Sequence, residues 1–152
     1  MTMHRRTVVK AMLACGALVG LGAVIPGVAF AARNKGAFGS DDQAKAMQAL
    51  FDAEPADSPD IVLKAPSIAE NGAVVPVTVS TEMTNVESIS IFVADNPTPL
   101  VAEFMIPAGT EAKVATRIRM GKTSTITAVV KADGKLFSTA RETKVTIGGC
   151  GG

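Results

Sequence analysis

The chain has 152 residues, 47% of them hydrophobic, which is enough for one domain with a real core, although it contains no Trp and no Tyr. Its net charge of +1 hides a split. Arg5, Arg6 and Lys10 precede the first acid, Asp41; removing these three from the 15 basic residues leaves 12 against 14 acids from Ala32 onward. A slightly acidic domain without a basic, aromatic-interleaved stripe excludes the usual nucleic-acid-binding surface.

The segment His4-Arg5-Arg6-Thr7-Val8-Val9-Lys10 leads into an apolar stretch over 11–31 that ends in Ala29-Phe30-Ala31. A charged start, an apolar middle and a small-residue end make an export signal. The paired Arg5 and Arg6 make it similar to a twin-arginine signal, with departures at His4 and Val8. Cleavage after Ala31 and a periplasmic location are therefore expected, with no stable membrane association. Pro26 argues against a retained span, and the apolar run before Cys15 is too short for a lipoprotein signal.

Residues 32–39 read as a flexible leader. Ser40 and Gln43 fit a capping box for a helix whose apolar face is Ala44, Met47, Leu50 and Phe51. The helix is expected to stop near Ala53, ahead of Pro55. The period then changes to two. Strands are expected at 61–63, at 73–82 with Val75, Val77 and Val79 on one face, and at 86–94 with Ile89, Ile91 and Val93 inward. Further strands are expected at 100–106, at 111–120 with Arg117 and Arg119 outward, at 124–132, at 135–140 after an Asp133-Gly134 hairpin turn, and at 144–147. Seven or eight short strands behind one helix predict an immunoglobulin-like antiparallel β-sandwich over residues 40–147, followed by a flexible C-terminal arm at 148–152. Pro76 predicts a sheet edge or bulge. The strand edge near Pro76 and the apolar helix face are the candidate partner-binding surfaces.

The chemical inventory is short. The single His, His4, lies in the export signal, and Cys150 is the one cysteine beyond it. A Zn or Cu site of the common kind lacks its ligands, so no metal and no cofactor are expected. Met47, Met83, Met105 and Met120 fall on separate elements and suit core packing better than copper binding. A Cys–His pair is impossible, and no glycine-rich phosphate loop precedes the helix. No catalytic residue is therefore assigned.

That leaves Cys150, flanked by Gly148, Gly149, Gly151 and Gly152. An unpaired cysteine in an exported protein points to intermolecular pairing or to a reactive thiol. Four glycines make a thin tail that adopts almost any backbone angle. Such a tail suits threading a thiol into a narrow channel and is a poor way to fix catalytic geometry. A disulfide-linked homodimer, or an immunoglobulin-like interaction module whose cysteine joins subunits, is the competing reading.

The terminus Val145-Thr146-Ile147-Gly148-Gly149-Cys150-Gly151-Gly152 resembles that of the sulfur-oxidation (Sox) carrier proteins, the Y subunits of the YZ complex. The segments at 68–77 and Arg117-Ile118-Arg119-Met120 are similar to body segments of the same family. The resemblance implies a heterodimer with a Z subunit and covalent attachment of thiosulfate to Cys150. It also implies service by separate enzymes: the haem c-containing SoxAX, the metal-dependent hydrolase SoxB and the molybdenum sulfane dehydrogenase SoxCD. The inventory agrees, since joining a thiol to thiosulfate removes two electrons that no group in this chain can accept.

Overall fold

The computed structural model describes residues 33–146. The leader with Arg5 and Arg6, and the tail with Cys150 and its glycines, lie outside them. Two helices come first, α1 (Lys35–Gly39) and α2 (Gln43–Phe51). Nine strands follow among the described residues: β1 (Ala56–Asp57), β2 (Ile61–Lys64), β3 (Ile68–Ala69), β4 (Val75–Thr81), β5 (Val86–Val93), β6 (Leu100–Met105), β7 (Lys113–Ile118), β8 (Ser124–Ala132) and β9 (Lys135–Val145).

The strands form the expected sandwich. One sheet runs β1-β9-β8-β5-β6 with β3 attached to β9; the other runs β2-β4-β7. The long pairings are antiparallel, while the short β1 and β3 run parallel to β9 and cover its outer edge. Alternation decides which side chains meet between the sheets. Val75, Val77 and Val79 of β4 face Ile89, Ile91 and Val93 of β5 and Ile126, Ala128 and Val130 of β8 across one core. Each such aliphatic side chain contributes roughly 1.5–3 kcal/mol on burial.

A second, smaller core lies on the outer face of the larger sheet. Phe92, Leu100 and Val129 are buried there beneath Ala37 of α1 and Ala46 of α2, with Met47, Leu50 and Phe51 packed around them. β5 and β8 are thus covered on both faces. The continuous apolar runs Ile91-Phe92-Val93 and Ala128-Val129-Val130 are the sequence signal for this.

That second core corrects several expectations. The 32–39 leader contains α1, because Asn34 caps it by accepting from the Ala37 N–H at 3.0 Å and Ala37 is fully buried. The α2 cap is Asp42 rather than Ser40. Its carboxylate accepts from the Lys45 N–H at 2.9 Å, and the Ser40 hydroxyl braces the Asp42 N–H. The helix stops at Phe51, where Asp52 adopts the left-handed region at φ 54° and its N–H bonds the Gln48 carbonyl. Of the expected apolar face of α2, Met47, Leu50 and Phe51 pack into this core around the buried Ala46, whereas Ala44 is exposed, so the face is mostly spent inside the domain.

Pro76 sits on the central strand of the smaller sheet, opposite Arg117 of β7. It is tolerated because β2 stops pairing at Lys64↔Thr78, so no strand on that side needs the missing N–H. The strands expected at 135–140 and 144–147 are one continuous β9 ending at Val145. The Asp133-Gly134 turn is as predicted: both residues have positive φ, 50° and 70°, as a type I′ hairpin requires.

Candidate functional site: the root of the C-terminal arm

β9 carries the chain to the end of the sandwich from which the cysteine tail departs, and its last residues are held from two sides. On one side is β3. The Lys144 N–H donates to the Ser67 carbonyl at 3.0 Å, and the Thr146 N–H donates to the Ala69 carbonyl at 3.1 Å. Just before this, the fully buried Thr143 donates its hydroxyl to the Pro66 carbonyl at 2.9 Å, and Arg141 Nη2 donates to Ser67 Oγ at 3.2 Å. On the other side is the β7–β8 turn, whose Thr123 Oγ1 accepts from the Val145 N–H at 3.0 Å. Cys150 is the fourth residue after Thr146.

Gly72 closes the root from above. The Met120 N–H donates to its carbonyl at 2.7 Å. A Cβ at this position would be driven into the Met120 carbonyl oxygen and would stand 2.8 Å from Val145 Cγ1. At Gly72 the backbone is thus pressed between the Met120 backbone and the Val145 side chain, a close approach that glycine alone accommodates without a shift. A further staple ties the β5–β6 turn to the same end. Asn96 Nδ2 donates to the Arg119 carbonyl at 2.7 Å, and the Gly121 N–H donates to Asn96 Oδ1 at 3.2 Å. Ser124 Oγ donates to Asp95 Oδ2 at 2.9 Å, and Lys122 Nζ lies 3.2 Å from Asp95 Oδ1. These two partners, the serine first, hold the Asp95 carboxyl below its usual range.

The structure thus brings together the two body segments that carry the family resemblance, 68–77 and 117–120, and sets both against the base of the tail. Sequence reasoning did not single out Thr123, Thr146, Ala69 or Asn96, because their work is done by single hydrogen bonds between distant loops. Arg117 and Arg119 are exposed, as expected for the outer face of β7 and its continuation. Cys150 and Gly148, Gly149, Gly151 and Gly152 lie outside the described residues.

A separate concavity lies elsewhere among the described residues. An open cleft of about 1420 Å³ lies at the opposite end of the sandwich, lined among others by Asp60, Thr81, Met83, Met105, Pro107 and Lys113. It has no His and no Cys, since the chain's only ones are His4, Cys15 and Cys150. Among the described residues no three His, Cys, Asp or Glu side chains come close enough to share a metal ion. No described helix is long and apolar enough to cross a membrane.

Fold and site together define a class: a two-sheet sandwich whose last strand is anchored just before a terminal segment bearing a cysteine. Comparison with known proteins makes the class specific. Residues 47–150, which include Cys150, match the family described as sulfur oxidation protein SoxY. The structure matches that of the sulfur carrier protein SoxY from Chlorobium limicola f thiosulfatophilum. That match has 46% identity and a TM-score of 0.62, and covers 68% of this chain and 96% of that one. A superoxide reductase (neelaredoxin) from Ignicoccus hospitalis matches with a TM-score of 0.52 at 16% identity, covering 57% of this chain and 80% of that one, which shows a shared fold alone. A search of curated proteins gives no match. The chain belongs to the SoxY family of sulfur carrier proteins.

Proposed function

We propose that the protein is a periplasmic, non-catalytic carrier that holds thiosulfate-derived sulfur covalently on Cys150 and presents it to separate enzymes. The observation that carries this reading is the family match running through Cys150, on a domain whose last strand is clamped four residues before that thiol. Loading follows R–SH + S2O3²⁻ → R–S–S–SO3⁻ + H⁺ + 2 e⁻. The electrons go to a partner of the haem c type (SoxAX), because no residue here accepts them. Release of sulfate, R–S–S–SO3⁻ + H2O → R–S–S⁻ + SO4²⁻ + 2 H⁺, needs an activated water that a metal-dependent hydrolase (SoxB) supplies. A sulfane dehydrogenase (SoxCD) oxidises what remains, and a Z subunit completes the carrier as a heterodimer.

Export by the twin-arginine route, with Arg5 and Arg6 as its signal and cleavage after Ala31, places the carrier with these enzymes. Intact-mass measurement on protein from thiosulfate-grown cells tests the whole reading. Sulfur adducts on the Cys150 peptide are expected, and Cys150→Ser abolishes both the adducts and thiosulfate oxidation while the fold persists. A thiol found only free, or only as a homodimer disulfide, favours the interaction module instead.

A further inference from the structure

The charge of the domain is sorted by end. The segments that surround the arm root, 64–75, 94–99, 117–124 and 141–146, contain Lys64, Arg117, Arg119, Lys122, Arg141 and Lys144 against Glu70, Asp95 and Glu142, a net of +3. The segments at the opposite end, 52–60, 82–87, 103–113 and 131–135, contain nine carboxylates against three lysines, a net of −6. A domain that is acidic overall is therefore basic where the cysteine leaves it. Within this basic end, Lys122 is paired with Asp95. Lys64, Arg117, Arg119 and Lys144 have no described carboxylate within 4.0 Å.

We propose that this end is an anion-steering surface, with Arg119 and Lys144 flanking the arm root from the two sheets, that draws small sulfur oxyanions to Cys150 and favours the anionic group once it is attached. The proposal rests on the reading of Cys150 as the attachment point. Arg119 and Lys144 are placed by the backbone. Lys144 is one residue from Val145, and Arg119 adjoins Met120, whose N–H bonds Gly72 directly over the Val145 side chain. Four residues beyond Thr146 keep Cys150 within about 14 Å of this root in any conformation. That distance is close to the ~10 Å screening length at 0.1 M salt and well inside the ~30 Å length at 0.01 M. The ligand class follows from the field: dianions such as thiosulfate gain twice what a monoanion does, and cations are repelled.

The test reads the field at the thiol directly, in the full chain with Cys15→Ser so that Cys150 is the single cysteine. Its reaction rate is compared for a dianionic disulfide (5,5′-dithiobis-2-nitrobenzoate), a neutral one (2-hydroxyethyl disulfide) and a dicationic one (cystamine), each divided by its rate with 2-mercaptoethanol. At about 10 mM salt the dianion should be favoured over the dication by roughly tenfold, and the preference should collapse at about 0.5 M. Arg119→Glu/Lys144→Glu should remove or invert it. The control Lys113→Glu/Lys135→Glu makes the same change in net charge at the far end and should leave most of it. Arg119→Gln/Lys144→Gln should give an intermediate value if the charge-reversed protein fails to fold. A salt-independent ratio, or equal effects of the two charge reversals, overturns the proposal. Charges on the tail are common to every variant and cancel. The probes react with Cys150 whether or not it carries sulfur in the cell, so failure here is separate from failure of the carrier reading.

Discussion

The two ends of the sandwich are built on opposite principles. At the hairpin end β8 and β9 are joined by a two-residue turn, carboxylates predominate, and an open cleft faces solvent. At the arm end Ser67, Ala69 and Thr123 bond the backbone N–H groups of the last residues of β9, while Gly72 and Asn96 bond the neighbouring 119–121 segment. The difference teaches where the proposed carrier function is to be sought. In the proposed reading the site is not the hollow but the place where the fold fixes one point of the chain, because the reach of a carrier's terminal segment is measured from its root.

This contrast can be broken most sharply at Gly72. Gly72→Ala forces either β9 or the 117–123 segment to move, since neither the Met120 carbonyl nor Val145 can yield alone. A loss of about 3 kcal/mol or more is expected in chemical denaturation. The matching change at the other end, Gly134→Ala, strains a residue at φ 70° whose Cβ would meet no neighbour. It should cost roughly 1 kcal/mol and leave sulfur loading of Cys150 unaltered, as read by intact mass. Equal stability losses from the two would show that the arm root is no more constrained than an ordinary hairpin.

A subtler cut is Thr123→Val, which removes the acceptor of the Val145 N–H and nothing else that the structure shows. About 1 kcal/mol of stability is expected to go. Amide exchange at Val145 should accelerate, while exchange at Thr143, held by pairing with Ser124, stays slow. Unchanged exchange at Val145 would mean that β3 alone fixes the root.

Much of this was legible in the sequence. Period-two alternation located six of the long strands, and the Asp-Gly dipeptide fixed the hairpin, because both signals are local. What escaped was nonlocal. The helical segment in the leader follows from Ala37 docking onto a sheet face 55 residues away at Phe92, which no local pattern in 32–39 announces. Pro76 read as an edge because proline lacks a donor; the rule held, but what satisfies it is the early end of a neighbouring strand, not the position of its own. The proposed attachment residue, Cys150, stands out in the sequence because no other cysteine follows Cys15. The threonines and Asn96 that support its root were the hardest, since each acts through one bond to a loop distant in sequence.

The smallest expected effect concerns pH, and it sets one exposed pair at each end against the other. Lys131 and then the Gly134 N–H hold Glu87 below its usual 4.5 at the hairpin end. Ser124 and then Lys122 hold Asp95 below its usual 3.8 at the arm end. In both, the folded state prefers the ionised form more than the unfolded chain does. Their contribution is therefore complete above the ordinary carboxylate values and is lost as pH falls through the lowered ones. Glu103, raised by burial, has the opposite sign: its ionised form is penalised on folding, so that penalty disappears on acidification. Thermal melts from pH 7 down to about pH 3 should show the acid loss of stability shallower in Glu87→Gln and in Asp95→Asn than in the parent. Glu103→Gln should instead melt slightly higher at neutral pH and converge with the parent at low pH. Because Asp95 is part of the staple that holds the arm end together, its variant alone should also speed amide exchange at Gly121. If Glu87→Gln did the same, the two ends would be coupled through the sandwich and not independent.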